Sequence, residues 1–106
     1  MAQHLIVQIA CRNRREARRI ARALVKERLA ACVHVGGAAV ESLYWWKGKV
    51  EGAREIPVCA KTTRRKFSAL VRRVEELHSY EVPEILAVEV KAGSKKYLEW
   101  LGKCLE

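Results

Sequence analysis

His78, Glu81 and Glu84 stand within one seven-residue segment of the chain. An imidazole followed closely by carboxylates supplies the nitrogen and oxygen donors that suit Cu(II) or Zn(II). A tight site needs three or four donors, and this segment supplies two at most. A metal held here would have to recruit a further group, either the thiol of Cys11 or a donor carried by another copy of the chain. His78, Glu81 and Cys11 are therefore the metal-ligating candidates. The competing role for His78 is structural, since a side chain at a helix C-terminus can meet the last carbonyls and the negative end of the dipole.

A second constellation suits anions. Arg12, Arg15 and Lys61 are candidate contacts for a small anionic ligand, helped by the positive end of the helix that starts beside the two arginines. Catalysis finds less support. Arg12-Asn13 after a first strand resembles the Arg and Asn of acylphosphatase-type sites. However, Cys11-Arg12-Asn13-Arg14 contains no glycine to form their anion cradle, and Asn13 is better used as a helix cap. No Cys–His–acid or Ser–His–acid set emerges, so a non-catalytic protein is expected. Cys11, Cys32, Cys59 and Cys104 form no C-x-x-C pair and match no zinc-site spacing. Each sits in an apolar stretch, as small buried hydrophobes do. Whether any two form a disulfide stays open at the level of sequence.

The elements that must position these groups follow from periodicity. Residues 4–10 (HLIVQIA) are short and apolar on both alternations, as in a strand covered on two faces. Asn13 and Glu16 have the spacing of a capping box, and Ala17, Ile20, Ala21, Leu24 and Val25 then repeat as one face of a helix. Residues 32–46 predict a second strand, interrupted at Gly36-Gly37 by a bulge or bend. Lys47-Gly48-Lys49 predicts a tight reversal, and residues 50–63 the returning strand, with Pro57 at an edge or bulge because it cannot donate to a ladder. A second helix is predicted over 66–78, a fourth strand over 85–91 and a terminal helix over 95–105. Two β-α-β halves joined by a hairpin give an α+β, ferredoxin-like β-α-β-β-α-β sandwich. It carries an extended central hairpin and a C-terminal helix.

At 106 residues the chain predicts one domain, 1–106, with half of its residues hydrophobic. Lys and Arg number 21 against 12 acidic residues, for a formal charge of +9. The basic residues cluster at 12–22 and 64–73, the solvent faces of the two predicted helices, and solvation accounts for them there. Nucleic acid is not expected as a partner for a further reason. RNA-binding domains of this topology stack bases on aromatics of the central strands, and neither HLIVQIA nor Pro57-Val58-Cys59-Ala60 contains one. No signal-peptide pattern and no ~20-residue apolar span is evident, so a cytoplasmic location away from membranes is expected.

The hairpin arms are roughly twice the length of the outer strands, so their tip must project, and it carries Tyr44, Trp45 and Trp46 in succession. Exposed aromatics on a long edge favour association. Tyr44, Trp45, Trp46 and Tyr80 are the expected oligomer-interface residues.

Several segments form one ordered pattern: Arg28-Leu29-Ala30-Ala31-Cys32-Val33, Tyr44-Trp45-Trp46-Lys47-Gly48-Lys49, Lys61-Thr62, His78-Ser79-Tyr80-Glu81-Val82-Pro83-Glu84-Ile85 and Tyr97-Leu98-x-Trp100. Across essentially the whole chain the pattern resembles the CutA family of divalent-cation tolerance proteins. The resemblance implies a ferredoxin-like homotrimer assembled through its sheets, associated with tolerance to copper and other divalent cations and able in some members to bind copper. It implies no catalytic residue set. It also implies an architecture similar to that of the trimeric nitrogen-regulatory signal proteins, so a small-ligand sensor is the alternative function. The chain departs from the family pattern at Ala10-Cys11-Arg12, where Thr-x-Pro is usual, at Ser79 in place of proline, at Ala53 in place of an acid, and at Pro57.

Overall fold

The computed structural model describes residues 3–106. In chain order the elements are β1 (His4–Cys11), α1 (Arg14–Lys26), β2 (Cys32–Val35), β3 (Val40–Trp46), β4 (Lys49–Thr63), α2 (Arg64–Leu77), β5 (Ile85–Glu89) and α3 (Lys95–Cys104). The strands run β2-β4-β1-β5 across the sheet, every pairing is antiparallel, and β3 extends β4 outward as a hairpin arm. This is the ferredoxin-like arrangement predicted from the element order.

One face of the sheet is closed by α1 and α2. Alternate β1 residues Leu5, Val7, Ile9 and Cys11 point into this layer, as do Ile56, Val58 and Ala60 of β4. They meet Ala17, Ile20 and Leu24 of α1 and Leu70 and Val74 of α2, all fully buried. Each fully buried aliphatic side chain of this kind contributes on the order of 1.5–3 kcal/mol. Ala17, Ile20 and Leu24 of the predicted face are thus the core face of α1, Ala21 lies at its margin, and Val25 departs from the expectation by standing exposed in the last turn.

Local chemistry sets the ends of the elements. Asn13 caps α1, its Oδ1 accepting from the Glu16 amide at 2.8 Å. The reciprocal half of a capping box is displaced by one residue, because the Glu16 carboxylate accepts from the Arg12 amide at 2.8 Å. At the other end Arg28 adopts φ 57°, with Leu29 N–H bonded to the Leu24 carbonyl at 2.8 Å and Arg28 N–H to that of Val25 at 3.1 Å. This is the pair of bonds of a Schellman motif, closed here by an arginine rather than the usual glycine. The second helix begins at Arg64, two residues before its predicted start, and ends at Leu77, which leaves His78 as its C-cap.

The predicted interruption at Gly36-Gly37 divides the second strand into β2 and β3. Val35 pairs with Val58 and Val40 with Glu55, so four residues of one strand lie opposite two of the other. Pro57 faces this bulge and needs no ladder partner for the N–H it lacks, while its carbonyl accepts from Gly36 at 2.8 Å. Gly36 is required by contact, since a Cβ there would sit 2.7 Å from Pro57 Cγ. The Arg14 guanidinium ties the bulge to α1 through the carbonyls of Gly36 and Gly37, at 2.8 and 3.1 Å. Beyond it the arm turns at Lys47 (φ 50°) and Gly48 (φ 80°), the two positive angles of a type I′ hairpin. The arm lengthens the molecule to 44 × 25 × 25 Å.

The opposite face of the sheet carries α3, which buries Leu101 and Leu105 and sets Tyr97 beneath the Lys61 ammonium at 5.7 Å. On β5 Leu86 and Val88, in register with Gln8 and Ile6, remain more than half exposed on this face. No helix among the described residues is long and apolar enough to cross a membrane.

Candidate functional site

The site forms where β1 runs into α1 and α2 runs into the loop before β5. His78 leaves the end of α2 in an extended conformation, and its backbone N–H still closes the helix on the Val74 carbonyl at 2.8 Å. Its imidazole does not return to the carbonyls of α2. It reaches across to β1, where Nε2 donates to the Ala10 carbonyl at 2.8 Å, while Nδ1 accepts from the Tyr80 amide at 3.1 Å. An acceptor at Nδ1 and a donor at Nε2 are the roles of the Nε2–H tautomer. The side chain has no exposed surface.

Glu16 completes the cluster. One carboxylate oxygen accepts from Arg12 N–H and lies 3.6 Å from His78 Nε2; the other accepts from Ser79 N–H at 2.8 Å. Burial works to raise the pKa of this carboxyl. Hydrogen bonds from Ser79 and Arg12, with His78 beside it, outweigh burial and hold it below the ordinary carboxylate value. Cys11 is fully buried next to it, and burial, reinforced by the negative charges of Glu16 and Glu55, pushes its thiol up to about 12. Cys11, Glu16 and His78 each offer a donor atom, and these atoms lie within 4.8 Å of one another.

Cys11 and His78 thus meet in one cluster, and the carboxylate beside them is Glu16. Glu81 and Glu84 lie instead on the wall of an adjoining cleft of about 830 Å³, between the hairpin arm and residues 79–84. Tyr44, Trp45, Trp46 and Tyr80 line the same cleft, Trp45 with 74 % of its surface exposed. Tyr80 packs on the His78 ring with centroids 4.7 Å apart. Burial and a hydrogen bond to the buried Glu55 carboxylate raise its phenol well above the ordinary tyrosine range. Arg12 and Arg15 are exposed at the start of α1, whereas Lys61 is five residues along β4 from the Cys11 partner Ile56, roughly 17 Å of strand away. The three cations do not converge. All four cysteines are unpaired.

Glu16 and Glu55 were not singled out as site residues by sequence. For Glu16 a signal existed, because its capping position places it one turn into α1, directly above the end of β1. Glu55 carried none, since nothing in the residues beside it marks it for burial.

The sequence profile of the CutA1 divalent ion tolerance protein family matches residues 5–104. The chain belongs to this family. Among CutA relatives, the divalent-cation tolerance protein of Archaeoglobus fulgidus is 36% identical over 97% of this chain and 99% of its own length, and that of Thermus thermophilus 44% identical over 91% and 92%. The chain spans about half (54%) of the chloroplastic CutA of Oryza sativa, to which it is 39% identical over 92% of its own length. The crystal structure of CutA from Xylella fastidiosa superposes with a TM-score of 0.94, at 35% identity, over 99% of this chain and 100% of that one. The CutA name denotes tolerance to divalent ions rather than a catalysed reaction.

Proposed function

We propose that the protein is a non-catalytic homotrimer that serves divalent-cation, chiefly copper, tolerance by binding Cu(II) or Zn(II) beside a cleft between subunits. The cluster of Cys11, Glu16 and His78 carries this reading, because it gathers sulfur, oxygen and nitrogen donors within 4.8 Å. Such a mixed set suits copper and zinc and is wrong for calcium or magnesium. The Glu16 and His78 donors already have partners. An incoming ion must displace the Cys11 proton and break the His78 bond to Ala10, so binding releases protons and strengthens as pH rises. Glu81, on the neighbouring wall, supplies a further carboxylate from the cleft side.

Trimer assembly is supported by the exposed aromatics of the arm and by Leu86 and Val88 on the sheet face away from α1 and α2. These are the surfaces a second and third copy would cover. A cytoplasmic location goes with four unpaired thiols, although the Archaeoglobus fulgidus relative is described as periplasmic.

The alternative, a trimeric small-ligand sensor, is favoured by one observation, the cleft itself. Its described lining holds Glu55, Glu81 and Glu84 and no Lys or Arg. A neutral or cationic ligand suits that wall better than the anion expected from Arg12, Arg15 and Lys61.

Calorimetric titration of tag-free protein with Cu(II) and Zn(II), beside Cys11→Ser and His78→Ala, tests the proposal. Saturable binding in the wild type, weakened in both variants, is the expected result. Binding indifferent to Cys11→Ser would remove the cluster as the site, whatever His78→Ala does to folding.

A further inference from the structure

On the face of the sheet turned away from α1 and α2, β2 and β4 bring together a second set of soft donors. Val33 and Val35 of β2 pack toward the core, so the alternation of a strand sends Cys32 and His34 to the other side. In β4, Val58 and Ala60 are buried in the helix layer, which places Cys59 between them on that same outer side. The register sets His34 directly opposite Cys59, with Cys32 one pair along, opposite Lys61. Cys32 and Cys59 are half-buried and His34 is exposed.

The Cys32 sulfur stands 3.6 Å from His34 Nε2. Zinc bond lengths of about 2.3 Å to sulfur and 2.0 Å to nitrogen, at a tetrahedral angle, separate the two ligand atoms by about 3.5 Å. The pair is held at the spacing of one edge of a metal coordination sphere. Directly opposed residues of antiparallel strands have Cβ atoms about 4.5–5.5 Å apart, so a rotation of the Cys59 side chain brings its sulfur within reach of the same point. A thiol–imidazole hydrogen bond would account for the 3.6 Å separation. It gives no role to the second thiol, which the register places across the strand.

We infer that Cys32, His34 and Cys59 form a site for a soft d¹⁰ cation, Cu(I) in three-coordination or Zn(II) with water as fourth ligand. The donor set is two sulfurs and one imidazole nitrogen, and the register neighbours of these residues, Gln8 and Lys61, contribute no carboxylate. That composition selects copper and zinc over the hard cations. His34 is exposed on β2, the sheet edge opposite Leu86 and Val88 of β5, which gives the ion its way in, and both thiols bind as thiolates with release of two protons. The site uses atoms of one chain only. It lies on the opposite face of the sheet from Cys11, so it stands or falls separately from the cluster around His78.

The test uses reduced full-length protein without oxygen, titrated with Co(II) as a spectroscopic stand-in for Zn(II), and with Cu(I) against a chromogenic chelator. The wild type is expected to show intense near-ultraviolet sulfur-to-cobalt bands. Cys32→Ser and Cys59→Ser should each reduce those bands and weaken Cu(I) binding about tenfold or more, as should His34→Ala for Cu(I). None of the three side chains is fully buried, so the far-ultraviolet spectrum should stay unchanged. In a Cys11→Ser background, which disables the other cluster, bands should remain and should still fall on Cys32→Ser or Cys59→Ser. Absence of sulfur-to-cobalt bands in the wild type, or bands and Cu(I) affinity unaltered in Cys59→Ser and Cys32→Ser, would overturn the inference.

Discussion

The strand β4 passes through two environments, and the change falls at Glu55. From Ile56 to Thr63 it is flanked by β1 and β2, and every second residue is buried in the helix layer. From Lys49 to Arg54 it has β3 alone as partner, and only Ala53 is even half-covered. Leu86 and Val88 of β5 aside, the body of the molecule therefore satisfies its own hydrophobic pattern. The arm does not: Leu43 and Trp45 each leave nearly three quarters of their surface exposed, and Val50 leaves 60%. A two-stranded ribbon of this kind is marginal by itself in water. The body holds the core, and the arm is the less covered of the two regions. The cleft with Glu55 at its edge, and the buried cluster of Cys11, Glu16 and His78, lie where the two meet.

Substitutions should separate the regions. The largest effect is expected in the body from His78→Ala, which orphans the Ala10 carbonyl and the Tyr80 amide behind the core. We expect a loss of about 2–3 kcal/mol in urea unfolding. At the boundary, Gly36→Ala forces a Cβ against Pro57, whose ring is exposed but whose backbone is held on both sides by strand. It should cost about 1–3 kcal/mol, and an unchanged unfolding midpoint would show that the bulge can yield.

A pH effect belongs to the body as well. The folded state holds the Cys11 thiol protonated up to about 12, above its ordinary value near 9. Between those values the unfolded chain gives up this proton and the folded chain keeps it, so stability falls as pH rises through that window. Comparing unfolding at about pH 8 and about pH 10.5, the wild type should lose more stability than Cys11→Ala. Equal losses would remove Cys11 as the cause. Arg28→Gly should do least, a net gain below about 1 kcal/mol. Glycine relieves the positive φ, and the guanidinium bond to the Cys104 carbonyl, lost in exchange, is exposed.

Much of this division is legible in the sequence, for local reasons. The periodicity of α1, the glycine pair at the bulge, the Lys47-Gly48 turn and the unusual length of the hairpin arms are each written in neighbouring residues. The site is less so. His78 and Ala10 are bonded across 68 positions of chain, and nothing near His78 indicates that its ring turns toward β1 rather than back onto α2. Glu81, close in sequence, faces the cleft, while Glu16, 62 positions away by numbering (78 minus 16), sits against the imidazole. Likewise His34 and Cys59 become neighbours only through the register of β2 with β4. Proximity along the chain pointed to Glu81 and not to Glu16, because the strand and helix ends that frame the cluster come from opposite halves of the fold.

The exposed arm is the centre of this account, and the mass of the protein in dilute solution tests it most directly. Light scattering should give about 36 kDa, three chains of 12.1 kDa, and Trp45→Ala and Trp46→Ala should shift the population toward smaller species while the folded body persists by circular dichroism. A wild-type mass of one chain at every concentration, or a trimer untouched by both substitutions, would contradict it.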